Sequence, residues 1–112
     1  MCAVERRSGS PNVGQMSFDE FAQSVARDPV PPTGSSRALQ ALWHDGRGDW
    51  DRAHACAQED DAPEAAWVHA YLHRKEGDAA NAAYWYRRAG RGVPAVPLGE
   101  EWAAIARELL SR

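Results

Sequence analysis

The sequence predicts an all-α fold: a short array of helical hairpins, two repeat-like units long, flanked by an N-terminal and a C-terminal helix. Three observations predict it. Apolar residues recur at three- and four-residue steps, while β-branched residues are scarce and two-residue alternation is absent. Cap and turn residues (Ser, Asp, Gly and Pro) punctuate the chain at helix-length intervals. The stretch 41-ALWHDGRGDWDRAHACA-57 also matches 70-AYLHRKEGDAANAAYWY-86 at an offset of 29 residues.

The elements follow in order. Residues 1–16 are rich in Ser, Gly and Pro without periodicity, and are expected to form a disordered tail. Ser17 and Glu20 have capping-box spacing and open a helix over 17–27, with Phe18, Phe21 and Val25 near one face. The run 28-DPVPPTGSS-36 cannot continue it. The next helix starts near Ala38, is capped by Ser35 or Ser36, and closes at 45-DGRG-48. Asp49 caps a helix over about 50–59. Pro63 fits the first turn of a helix over 63–76, where its missing N–H is no loss. Asp78 caps a helix over about 79–90. The segment 90–99 reads as a loop, and the last helix, about 99–111, carries Trp102, Ile105, Ala106, Leu109 and Leu110 as an apolar stripe. Residues 17–112 thus read as a single domain.

The totals narrow the function classes. The chain of 112 residues is 44% hydrophobic and 26% charged, which suits a globular chain rather than a disordered one. A net charge of −3 supplies no field for nucleic acid, and no apolar run is long enough to span a membrane. The N-terminus lacks the apolar core of a secretory signal. The two cysteines, Cys2 and Cys56, belong to no CxxC and make no disulfide framework, so a reducing cytoplasm is the expected location.

In the internal match, Ala41 pairs with Ala70, His44 with His73, Gly48 with Gly77, Asp49 with Asp78 and Ala53 with Ala82. Glycine at Gly48 and Gly77 permits the positive φ that ends a first helix. Asp49 and Asp78 can then accept from the free N–H groups of the second. The alanines allow close backbone approach. This pattern resembles tetratricopeptide and Sel-type helical repeats. Ala70, His73, Ala82, Tyr86, Ala89 and Pro94 stand at that family's positions around the Gly-Asp turn, with His73 where the family has an aromatic. The run 83-AYWYRRAGRG-92 is similar to a Sel-type phrase. The first unit matches less fully, at Ala41, His44 and Ala53. The string WVHAYLHRKEGD…NAAYWYRRAG also resembles a group of short bacterial proteins of unknown function. The repeat resemblance implies stacked hairpins that present a face to peptides or proteins. The final helix would then cap one end of the stack, and the 17–27 helix would cover the other.

Candidate sites are few. His69 and His73 lie one helical turn apart on the most apolar helix, with Glu76 continuing the stripe and His44 expected near it through the repeat. Two imidazoles at that spacing are weak metal candidates, since a stable zinc site wants three or four ligands. Packed, hydrogen-bonded histidines are the simpler expectation. The helix 65–73 is apolar nearly all round and should sit at the centre. In 84-YWYRR-88, Tyr84, Arg87 and Arg88 can lie together, with Trp85 facing elsewhere. Trp50, in the first turn of its helix, is expected to be exposed and to mark a partner or homodimer contact. No Ser-His-Asp order, P-loop, dinucleotide turn or paired-carboxylate motif appears, so an enzyme is not the first expectation. The expected function is a non-enzymatic module that binds a protein or peptide without a cofactor, nucleic acid or membrane. Its expected binding residues are His69, His73, Arg74, Glu76, Asn81, Tyr84, Arg87 and Arg88. The alternative is a metal- or small-molecule-binding protein, or an enzyme, that uses the His69/His73 stripe.

Overall fold

Four of the helices begin at a capping side chain: Ser17, Ser36, Asp49 and Asp78. The structure, a computed structural model, describes residues 12–111. Six α-helices follow one another among them: α1 (Phe18–Arg27), α2 (Arg37–Gly46), α3 (Trp50–Gln58), α4 (Pro63–Glu76), α5 (Ala79–Arg88) and α6 (Leu98–Leu110). The only β pairing among the described residues is an isolated bridge between Asn12 and Thr33. Ser17 and Glu20 close a reciprocal capping box on α1, and Ser36 caps α2. Asp49 and Asp78 each accept from the backbone N–H three residues on, at 3.1 and 3.2 Å. No described helix is long and apolar enough to cross a membrane.

The α2 helix ends within the expected 45–48 turn, and the expected tail needs correction. The α2 helix runs through Asp45 and Gly46 before it stops, because the bonds that end it close around Gly48. There φ is +83°, and Asp49 N–H reaches back to the His44 carbonyl at 3.0 Å. Residues 12–16 are not a free tail. They hold a single 3-10 turn (Val13–Gln15), with Val13 N–H bonded to the Thr33 carbonyl at 2.9 Å and Met16 buried. The rest of the expected tail, residues 1–11 with Cys2, lies outside the described residues. Cys56 is buried and disulfide-bonded, contrary to the reduced thiol expected for a cytoplasmic chain.

The α4 helix is the centre of the molecule. Nine consecutive residues, 65–73, are buried, and the helix packs against α2, α3, α5 and α6. A helix apolar on every side can only be satisfied that way. The two hairpins, α2–α3 and α4–α5, are packed helix pairs, and Ala41, Ala53, Ala70 and Ala82 are all buried within them.

The flanking helices do not sit at opposite ends of the stack. The α1 and α6 helices pack against each other and jointly cover one layer: α6 lies on α2 and α4, and α1 on α2. The aromatic face of α6 explains this. Trp102 meets Phe18 at 6.0 Å and Phe21 at 5.8 Å, and its indole N–H donates to the Leu42 carbonyl at 2.9 Å. Aromatic contacts of this kind favour one shared cover over two separate caps. Buried carboxylates lock the layer. Glu101 accepts from Arg74 at 2.6 Å and from the Tyr86 hydroxyl. Asp45 accepts from Tyr71 and from Lys75, both at 2.9 Å. With α1 and α6 on one side, α3 and α5 stand along the other side of α4.

Candidate functional site

The side of α4 away from α6 carries His69 and His73. Their four-residue spacing stacks the rings, with centroids 4.9 Å apart and planes 26° apart. A third imidazole joins them from α3. His54 meets His69 edge to face at 4.7 Å and His73 at 5.2 Å. The Nε2 atoms of His54 and His69 lie 3.1 Å apart. One candidate ligand atom from each of the three histidines falls within 4.8 Å of the other two.

Indole rings wall the cluster on two sides. Trp50, from α3, stacks on His54 at 4.8 Å and 10°, and Trp85, from α5, stacks on His69 at 4.0 Å and 17°. Trp50 is half-buried, not exposed, and its N–H is committed to the Leu72 carbonyl at 2.9 Å. That corrects the expected exposure of its ring. Arg88 lies 5.2 Å from the Trp85 ring, on the outer side of the box. A cavity of about 220 Å³ adjoins His69 and is lined also by Asp60, Asp61, Trp85 and Arg88.

A carboxylate orients the His73 ring. Glu76 Oε2 lies 2.7 Å from His73 Nδ1. A carboxylate can only accept, so Nδ1 carries a hydrogen and Nε2 is the nitrogen left to coordinate. Burial lowers the His69 pKa to about 4, with the neighbouring His54 and His73 adding to the shift. Burial, then His73, also lowers the His54 pKa, although Glu76 and Asp51 oppose it. Both shifts favour the neutral ring, the form in which imidazole binds a metal.

Ligand distances permit an ion. Metal–nitrogen bonds of about 2.0–2.1 Å in a tetrahedron hold two ligand nitrogens about 3.3 Å apart. His54 and His69 are already near that separation at 3.1 Å. The His73 donor lies within 4.8 Å of the other two, so closing it onto the same point takes at most about 1.5 Å. All three donors are imidazoles, which suit zinc, copper, nickel or cobalt and not the oxygen-seeking calcium or magnesium.

The other expected site residues are dispersed. Arg74 points away, to Glu101 and the Val96 carbonyl. Asn81 donates to its own cap residue Asp78 at 2.8 Å. Tyr84 is exposed and accepts from Arg88 at 3.2 Å, and Arg87 is exposed. Trp85 does not face elsewhere: it lies between His69 and Arg88. His44 is buried against Trp43 and takes no part in the triad. His54, Trp50 and Trp85 are the members that sequence reasoning missed. One signal was available, because Trp50 and His54 share the four-residue spacing of His69 and His73.

No family model matches the chain, and no curated protein or solved structure matches it either.

Proposed function

We propose that the chain binds a divalent transition-metal ion through His54, His69 and His73. The observation that supports this most is the convergence of three imidazoles from two helices, one ring oriented by a carboxylate. Metal-binding histidines characteristically donate their second nitrogen to such a group, which fixes the ring and raises its basicity. Packing alone would ask only that each imidazole find one polar partner. With Glu76 held by Nδ1, Nε2 is the His73 nitrogen that would serve as a metal donor.

Zinc titration by calorimetry tests the reading. The expected result is one ion per chain, with binding lost in His54→Ala and in His69→Ala and retained in His44→Ala. Unchanged zinc binding in His54→Ala would remove the basis of the assignment.

A second reading, a module that docks a protein or peptide, draws support from the exposed α5 face of Tyr84, Arg87 and Arg88. Aromatic and guanidinium groups are the usual anchors of such contacts. Loss of a captured partner in Arg87→Glu, with zinc binding intact, would favour it. The tetratricopeptide-like character of the two hairpins belongs to this second reading.

A further inference from the structure

The donor set of the triad is short by one. Tetrahedral sites that serve only structure are filled by four protein ligands, whereas three protein ligands leave a position for water or substrate. Among the described residues, the group of mutually close donors ends at His54, His69 and His73. Glu76 falls outside that group and is occupied by His73 Nδ1. Its second association, with His73 and Asp78, lies on the outer side of the ring. The walls add nothing: an indole has no lone pair to give, and the Trp50 N–H is already bonded to Leu72. Trp50 and Trp85 therefore hold two flanks of the site with surfaces that cannot coordinate.

One of the three ligand rings is reachable from solvent. His69 and His73 are buried, but His54 is half-exposed on the wall formed by α3. The cavity of about 220 Å³ beside His69 provides space for a small molecule next to a ligand ring. Its charged lining, Asp60 and Asp61 against Arg88, is negative by one, so an anion entering it is held by the cationic metal and not by the walls. Resting on the metal reading above, we infer that the bound ion keeps one exchangeable coordination position, which takes a small Lewis-basic ligand: water, or a monoanion of azide size. The site is thus a ligand-binding metal centre rather than a structural staple.

The test uses the full chain loaded with cobalt(II), whose visible ligand-field absorption reports its coordination shell. Azide is titrated in, and cobalt retention is checked by desalting. The expected result is a saturable shift of the visible bands with one azide per cobalt, the metal staying on the protein. Bands that azide leaves unchanged would overturn the exchangeable position while the metal site stood. Azide that strips cobalt from the chain would overturn it too. Failure of the wild-type chain to hold cobalt at all would remove the metal reading, and this inference with it.

Discussion

The Nε2 atoms of His54 and His69 face each other at 3.1 Å across the contact between α3 and α4. Two such nitrogens can share one hydrogen, or they can share one ion. The local geometry makes Glu76 a positioning residue, since its carboxylate is bonded to His73 Nδ1. Glu76→Gln is predicted to weaken zinc binding by about 10–100-fold, the usual effect of losing a carboxylate behind a metal-binding histidine. Competition against a chromophoric chelator measures it. Arg74→Met, one residue from His73 but directed at Glu101, should leave the zinc affinity unchanged.

Acid should destabilise the metal-free fold through its buried histidines. Burial lowers the His44 pKa to about 4, helped by the Arg52 and Arg47 charges and opposed by Asp49, and the His69 pKa falls to about 4 as well. An unfolded histidine titrates near its ordinary value of about 6.5. Between these values the unfolded chain binds more protons than the folded one, so stability rises with pH. It is fully present above about pH 6.5 and declines towards pH 4, by up to about 1.4 kcal/mol per pH unit for each such residue. Urea midpoints measured in chelator across that range should fall with acidity. His44→Gln should flatten the slope.

The Glu101 carboxylate is buried at 3% exposure and accepts from Arg74 and Tyr86. Removing Arg74 leaves that charge without its counter-ion in the core. Arg74→Met is predicted to cost about 3 kcal/mol. The double variant Arg74→Met/Glu101→Gln should recover part of the loss. Denaturant titration of both variants checks this.

Two helical glycines should respond oppositely to alanine. A Cβ on Gly46 would meet Trp102 and Val25, each at 3.0 Å, whereas one on Gly99 meets nothing within 4 Å. Gly46→Ala forces the α1–α6 cover away from α2 and should destabilise by about 1–3 kcal/mol. Gly99→Ala should stabilise by about 0.5–1 kcal/mol, because alanine costs less backbone entropy in a helix. Thermal melts of the two variants report opposite shifts.

Much of the fold is legible in the residues. The boundaries of α4 follow from Pro63 and Gly77, the start of α1 from Ser17 and Glu20, and the starts of α3 and α5 from Asp49 and Asp78. These are local effects, carried by a side chain and a backbone group a few residues apart. The burial of 65–73 is legible as well, since an apolar helix has nowhere else to go. Half of the site is legible for the same reason: His69, His73 and Glu76 are neighbours on one helix. His54 and Trp85 are not, because they reach the cluster through the rotation of α3 and α5 about α4, which no local pattern encodes. Arg74 fails for the complementary reason. It sits beside His73 in the chain, but a residue next in sequence on a helix points about 100° away, and here it finds Glu101, which is 27 positions further on. The joint α1–α6 cover likewise depends on where Trp102 meets Phe18 and Phe21, three rings far apart in the sequence.

The most direct measurement is the ring-nitrogen NMR spectrum of the histidines as one equivalent of zinc is added. Signals from His54, His69 and His73 are predicted to move together and stop at one zinc per chain, with His44 unmoved. Signals that move for a single ring, or equally for His44, would contradict the three-histidine site.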